Sequence, residues 1–373
     1  MAKNVVYLIT GGCGFIGEHI VKFLLREEYV KDVRIFDLNE SEVIRSLELN
    51  SCLYLGTADY DKITFIKGDI TDYRQILEAL KGVHVVIHTA ALVDYLDEYP
   101  FKKLEAVNVK GTENIVNACL DAGVPYLLYT SSITAAGPNT NLDPMVGIKE
   151  DTVYHGEQLL NYGKTKARAE KLVLLANGQQ LNNGNKFVTC AIRPCTVYGE
   201  KTETLLTMYR TAKSHNNRID YTGVIDSEHN ITYVGNVAWM HVLAARHMQL
   251  KPALLGGQVF YAYDETPFTN WIKLYHEVYR GIDPSIQIGA QIPYWKLWLI
   301  VSVFNLIRFF LKPFWNLKPF LTLPILKLLT VTYYHDSDKA FRHFNYKPFY
   351  SWGESKRRTC LWLKQETETL KKQ

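Results

Sequence analysis

Two residues one helical turn apart, Tyr162 and Lys166 in LLNYGKTKARAE (159–170), could do acid–base chemistry together. On a helix the pair projects to one face. An ammonium beside a phenol favours the phenolate, drawing its pKa down from the usual ~10 toward working pH. Such a phenolate could take the proton of an alcohol while a hydride leaves the same carbon. A strand-like run ending in YTSS (129–132) lies upstream, and Ser132, with Ser131 and Thr130 adjacent, offers a hydroxyl to hold the reacting oxygen. The Tyr–Lys spacing is also common on solvated helices. The elements around it must decide whether it reacts.

Directly after the first apolar run stands TGGCGFIGEHIVKFLL, with Gly11, Gly14 and Gly17 at G-x-x-G-x-x-G spacing. The first glycine permits a tight turn, the second lets the backbone approach a pyrophosphate, and the third lets the helix pack close on the strand. Phosphates would then sit at the helix N-terminus, on the turn that holds Phe15 and Ile16. Asp37 closes the second run, 20 residues beyond Gly17. A carboxylate there binds the adenosine ribose hydroxyls and repels a 2′-phosphate, so the expected cofactor is NAD rather than NADP. Asp69 and Ile70 after the third run, and Thr89 and Ala90 after the fourth, are expected adenine and phosphate neighbours.

The first 200 residues supply the scaffold. β-Branched runs at 5–9, 33–36, 63–66, 83–88, 126–130 and 187–192 alternate with helix-length segments at 15–28, 72–81, 102–122 and 157–176. Most runs are apolar on both faces, as strands of a helix-covered parallel sheet are. The fold class expected is α/β, a doubly wound parallel Rossmann-type sheet with a smaller C-terminal unit. The division expected is an NAD-binding domain with the reacting residues over 1–200, a substrate-binding region over 201–290, an apolar segment over 291–330 and a tail over 331–373.

Bulk numbers narrow the function classes. Of 373 residues, 47 % are hydrophobic and 21 % charged, a globular balance. A net charge of +4 and a pI near 8.5 give no basis for nucleic-acid binding. The six cysteines, at 13, 52, 119, 190, 195 and 360, show no CxxC pair and no metal-ligand spacing. Reduced thiols, a chain facing the cytosol and no metal site are therefore expected. MAKNVVYLIT runs straight into a strand-like run, so no secretory signal is expected there. Cys195 reads as a packing residue and His241 as a helix residue. The oligomeric state stays open, a homo-oligomer included.

The motifs TGGCGFIG (10–17), Asp37, GDI (68–70), HTAA (88–91), NVKGT (108–112), YTSS (129–132), YGKTK (162–166) and RPCTVYG (193–199) follow one order. In that order the chain resembles the extended short-chain dehydrogenase/reductase superfamily. VVIHTAALVD, NVKGTENIVNAC, YTSSITAAGPN, VTCAIRPCTVYGE, YVGNVAWMHVLAAR and YKPFYSWGESKRRT are similar to blocks of the 3β-hydroxysteroid dehydrogenase/Δ5-4 isomerases, across nearly the whole chain. NVAWMHVLAAR and GGQVFYAYD resemble most the branch that oxidises full-side-chain 7α-hydroxylated sterols in bile-acid synthesis.

The resemblance implies Tyr162 as general base and Lys166 as the residue that tunes it and holds the nicotinamide ribose. It implies Ser132 for the reacting oxygen, Asn108 as the asparagine that positions the lysine through solvent, and Pro194 beside the cofactor. It further implies NAD-dependent oxidation of a Δ5-steroid 3β-hydroxyl, isomerisation of Δ5 to Δ4, and the endoplasmic-reticulum membrane. The chain departs from the family at Thr134 and Ala135, which stand where an acid and a valine are usual, and at Asn161, Gly163 and Lys164, which replace a proline-rich context. An isomerase step through that acid is thereby put in doubt. The same motifs admit a decarboxylating sterol-4-carboxylate 3-dehydrogenase, a nucleotide-sugar epimerase or dehydratase, or a non-catalytic NAD-dependent interaction protein. The apolar segment weighs against the sugar-nucleotide class, and the intact Ser132, Tyr162 and Lys166 against the last.

That segment reads IPYWKLWLIVSVFNLIRFFLKPFW. Its uncharged core, 297–307, reaches about 16 Å as a helix, short of a ~30 Å hydrocarbon layer. Extension to 292–311 requires Lys296 and Arg308 to snorkel. Tyr294, Trp295, Trp298 and Trp315 suit a headgroup-level belt. A membrane anchor lying partly in the interface plane is the expectation.

Overall fold

Along β1 (Val5–Thr10) every residue is buried, and the period of two sends Val5, Tyr7 and Ile9 to one apolar core and Val6 and Leu8 to another. The structure, a computed structural model, describes residues 4–41, 62–153, 155–224, 226–311, 314–315 and 317–370; Cys52 lies outside them. Six strands join β1 in one parallel sheet: β2 (Val30–Asp37), β3 (Ile63–Lys67), β4 (Val85–His88), β5 (Tyr126–Thr130), β6 (Val188–Arg193) and β7 (Val259–Tyr261). Their order is β7-β6-β5-β4-β1-β2-β3, all parallel. The order reverses between β1 and β4, so the carboxyl ends of those strands open the crevice where such sheets bind ligands.

Helices cover both faces. Among them are α1 (Phe15–Leu24), α2 (Tyr73–Ala79), α3 (101–122), α4 (Asn161–Leu175) and α5 (Val234–Leu250); α6 (Tyr294–Leu311) belongs to the apolar segment. α1 and α5 share the core of Tyr7 and Ile9, whereas α2, α3 and α4 pack on the side of Leu8 and Leu127. α5 and β7 both come from the segment expected to bind substrate, and both complete the sheet's layers.

α3 is not the unbroken helix that its sequence predicts. Residues Ala106–Lys110 form a π turn between two α-helical pieces. That turn carries Asn108, and such turns recur at functional sites.

Three two-stranded parallel ladders complete the body: Thr196–Tyr198 with Ile231–Tyr233, Arg218–Tyr221 with Gln287–Gln291, and Met145–Ile148 with Tyr333–His335. The last returns the chain to the body after the apolar segment. α6 leaves most of its surface bare. Only Val301 is buried, while Trp295, Trp298, Leu306, Phe309 and Phe310 are exposed. Among the described residues it is the one helix long and apolar enough to cross a membrane, at 18 residues and a mean hydropathy of 1.4.

Candidate active site

Beyond β1 the chain turns through Gly11 at a φ of +70°, a conformation side chains rarely adopt. A Cβ on Gly11 would stand 2.7 Å from the Ala90 backbone, and one on Gly17 2.1 Å from the Gly11 carbonyl oxygen. Both obstacles are backbone and cannot swing aside. Gly14 caps α1 without a side chain, and the N–H groups of Phe15, Ile16 and Gly17 in the first turn have no helical carbonyl to meet. A bare, electropositive, backbone-lined turn is what a pyrophosphate needs, so the residues present fit NAD. Gly17→Ala is expected to weaken NAD binding by at least about tenfold, ~1.4 kcal/mol. Fluorescence titration with NADH measures this, and wild-type affinity would refute the close-approach reading.

Asp37 is held facing this turn. Its Oδ2 accepts from Cys13 N at 3.0 Å and its Oδ1 from Leu38 N at 2.8 Å. Each oxygen keeps a lone pair for a ribose hydroxyl. Asp37→Ala is expected to relax the preference for NAD over NADP by about tenfold or more, read as the ratio of kcat/KM values. An unchanged ratio would remove Asp37 from cofactor selection.

The other expected neighbours converge on the same crevice. Thr89 Oγ1 donates to Thr10 O at 2.7 Å, and the Ala90 backbone closes over Gly11. Asp69 caps its own turn, with Thr71 N donating to Oδ1 at 2.8 Å. Ile70 lies against Gly111, where a Cβ would come within 2.7 Å of its Cδ1. Asn114, which sequence reasoning missed, donates to the carbonyls of Ile70 and Thr71 at 3.1 Å each. The Pro194 carbonyl accepts from Ile133 N at 2.9 Å, tying the end of β6 to the serine turn.

Tyr162, Lys166 and Ser132 are all buried at the carboxyl end of the sheet. Lys166 Nζ donates to the Thr130 carbonyl at 2.6 Å and stands 4.2 Å from the Tyr129 ring centre. Burial lowers its pKa to about 7, against the pull of Glu170 one turn further along α4. Glu170 is itself clamped by Arg193, at 2.6 and 2.9 Å. Burial pushes the Tyr162 phenol well above its ordinary value, and Tyr95 and Tyr129 add to the rise. Lys166 alone does not draw it down; the expected lowering joins Lys166 with the charge of bound NAD⁺. Burial is the largest cause, and Lys166 Nζ directs a bond to the Thr130 carbonyl and lies over the Tyr129 ring.

Ser132 Oγ accepts from Thr134 N at 3.2 Å and from Thr134 Oγ1 at 2.8 Å. Those bonds occupy its lone pairs, so its own proton is the one that meets the Tyr95 hydroxyl. Thr134, where an acid is usual, thus acts as a donor. Thr130 Oγ1 is turned to His241 Nε2 at 2.9 Å. His241 Nδ1 donates to Val237 O, so the ring, held neutral by burial, accepts from Thr130. Ser131 Oγ is buried without a hydrogen-bond partner.

Asn108 spends its side chain on protein. Its Oδ1 accepts from Leu92 N at 2.7 Å, and its Nδ2 donates to Leu92 O and to Thr165 Oγ1, each at 3.0 Å. Thr165 Oγ1 in turn bonds the Tyr162 carbonyl at 2.8 Å. Beneath runs a string of buried groups, Thr10 Oγ1 to His88 Nδ1 at 2.6 Å and His88 Nε2 to Thr112 Oγ1 at 3.0 Å. Burial, with Lys166 nearby, drops His88 to about 3, so it is neutral.

A strap over 94–99 crosses the site. Asp94 ties it internally by accepting from the backbone N–H groups of Leu96, Glu98 and Tyr99. Tyr95 lays its ring 5.2 Å from that of Tyr162 and bonds Ser132 through its hydroxyl. Asp97 Oδ1 accepts from Asn161 Nδ2 at 3.0 Å, beside Tyr162. On its outer side the strap meets the apolar segment: Arg308 Nη2 donates to Asp97 O at 3.1 Å, and Lys318 pairs with Glu98 at 2.8 Å. DYLDEYP carries no periodicity or motif, so the sequence gives no sign of this role.

A glycine cradle at the switch point of a doubly wound sheet, with a buried tyrosine, lysine and serine at its mouth, defines an NAD-dependent oxidoreductase of the Rossmann class. The matching family is narrower. Residues 8–290 match the model of the 3-beta hydroxysteroid dehydrogenase/isomerase family, and the chain belongs to that family. It is 39 % identical to mouse 3 beta-hydroxysteroid dehydrogenase type 7 over 363 residues, 96 % of each chain. To the human type 7 protein it is 38 % identical, over 98 % of this chain and 97 % of that one. A vaccinia virus 3 beta-hydroxysteroid dehydrogenase/Delta 5→4-isomerase is 36 % identical, over 96 % and 99 %. Among solved structures, the UDP-glucuronic acid 4-epimerase of Bacillus cereus in complex with NAD superposes with a TM-score of 0.69 at 19 % identity, covering 97 % of this chain and 99 % of that one. That likeness concerns the fold.

Proposed function

We propose that the chain oxidises the 3β-hydroxyl of a Δ5-steroid to the 3-ketone and moves the double bond from Δ5 to Δ4, on a full-side-chain sterol of the bile-acid route. The observation that carries this reading is the buried Ser132, Tyr162 and Lys166 beside the glycine cradle, in a chain aligned almost end to end with type 7 relatives. Gly11, Gly14, Gly17 and Asp37 would hold NAD, which would supply a hydride acceptor and a positive charge to the pocket. Ser132 would turn its proton from the Tyr95 hydroxyl to the substrate oxygen and fix the carbinol. Tyr162 takes the hydroxyl proton. Lys166 tunes the phenol and holds the nicotinamide ribose, while Asn108 keeps α4 in place through Thr165. Oxidation makes the C4 protons of the Δ5-3-ketone acidic. Tyr162 or a nearby side chain of the substrate-binding region takes one and returns it at C6, which yields the conjugated enone.

The same reading places the chain on the endoplasmic-reticulum membrane through 291–330. A sterol dissolved in the bilayer would then reach a site whose strap touches that segment. Membranes carrying the chain, given NAD⁺ and a panel of 3β-hydroxysterols, should produce NADH and an enone absorbance. No turnover of any of them would sink the reading. NADH without enone would keep the oxidation and remove the isomerisation. A carbonate wash should leave the chain with the membranes, and complete release would remove the anchor.

A further inference from the structure

Both ends of the apolar segment are fastened to the same folded body. Before α6, Gln287–Gln291 pairs with Arg218–Tyr221, Ile292 N donates to Tyr221 O at 2.7 Å, and Thr222 Oγ1 donates to Ile292 O at 3.2 Å. Near the far end of the helix, Arg308 Nη2 reaches Asp97 O at 3.1 Å, and Lys318 follows with its bond to Glu98. Beyond the segment, Tyr333–His335 pairs with Met145–Ile148. An 18-residue helix is about 27 Å long, close to the hydrocarbon thickness. Were it to cross, Ile292 and Arg308 would lie at opposite surfaces, and one body could not hold both. The later helix Leu323–Leu328, of 6 residues, is too short to bring the chain back.

The shielding along α6 agrees. Leu297, Val301, Phe304 and Arg308 form one stripe of shielded side chains, at helical spacing and along most of the helix length. The opposite surface presents Trp295, Trp298 and Phe309, and just past the helix Phe314 and Trp315 are 78 % and 65 % exposed. Monomeric soluble proteins rarely leave so large a contiguous apolar patch bare. Charge specifies the occupant. From 284 to 335 the chain has no Asp or Glu but five cations. Arg308 and Lys318 are engaged with the strap, Lys312 lies outside the described residues, and Lys296 and Lys327 remain to face a leaflet. Aromatic rings with lysines at their edges suit the headgroup boundary of an anionic leaflet.

We propose that α6 and the described residues that follow it up to 331 form an in-plane dock seated in one anionic leaflet, so that the chain crosses no bilayer and the body on either side of the dock shares one side of the membrane. This rests on the membrane association proposed above. The full chain, tagged at both termini and synthesised into microsomes, is digested with protease before and after detergent opening. Both tags should be lost from sealed vesicles. One tag protected until detergent is added would overturn the in-plane dock while leaving membrane association intact. A chain that pellets with neither microsomes nor phosphatidylcholine vesicles containing phosphatidylserine would overturn both. Added phosphatidylserine should strengthen vesicle binding by about tenfold or more, since each cation near an anionic surface contributes ~1 kcal/mol. Equal binding to pure phosphatidylcholine would remove the anionic part of the proposal.

Discussion

Tyr162→Phe should lower kcat by about a thousandfold, within the range a general base supplies, and leave NADH affinity unchanged. The substitution deletes one hydroxyl and keeps the ring that packs 5.2 Å from Tyr95, so the fold has no cause to fail. The remaining side chains do not replace the base. Ser132 has its lone pairs occupied by Thr134, and Lys166 is engaged with the Thr130 carbonyl. Because burial holds the phenol high, the wild-type oxidation rate should climb with pH through the alkaline range, and the residual rate of the variant should lose that climb. A Tyr162→Phe chain that keeps more than about a tenth of the wild-type kcat would reject Tyr162 as the base.

Lys166→Met should have two opposite effects. Turnover should fall by about a hundredfold or more, while thermal stability rises. The folded-state pKa near 7 lies below the unfolded value of 10.5, so at neutral pH the unfolded chain binds the extra proton. The sign follows: this group opposes folding fully below pH 7, and the opposition fades as pH rises to about 10.5. At pH 7 it costs roughly 4 kcal/mol. Methionine removes that cost but strands the Thr130 carbonyl, which takes back about 1–3 kcal/mol. The balance favours the variant slightly, a Tm gain of roughly 2–4 °C. It should also lose the gain in stability that the wild type shows from pH 7 to 9. A lower Tm at pH 7 would mean that the carbonyl bond outweighs the buried charge. The lysine is a place where function is kept at the expense of stability.

Much of this site can be read along the chain because its parts are local. The turn through Gly11, Gly14 and Gly17 needs glycine for steric reasons that a few residues state by themselves, and Asp37 ends a strand whose neighbours are apolar. The nearly unbroken apolar run along Val5–Thr10 announces a sheet buried on both faces. What stayed hidden depends on distance in sequence or on balance of energies. Tyr95 reaches Tyr162 across 67 positions, from a strap with no pattern of its own. The pairing of Tyr333–His335 with Met145–Ile148 brings the last part of the chain beside the serine turn, and no local propensity foretells it. The π turn at Asn108 looks like plain helix in composition. The direction of the Tyr162 pKa follows from burial that only the folded packing supplies, which spacing cannot say.

The strap also governs what would follow from attempts to make the chain easier to handle. Deleting 292–331 to gain solubility would remove Arg308 and Lys318, the two cations that hold residues 97 and 98 from outside. The glycine cradle would be untouched, so such a shortened chain should still bind NAD as the full one does. Tyr95 would lose its backing, and turnover would suffer where binding did not. For this protein, good cofactor binding by a trimmed, soluble variant would be a poor guide to a working enzyme.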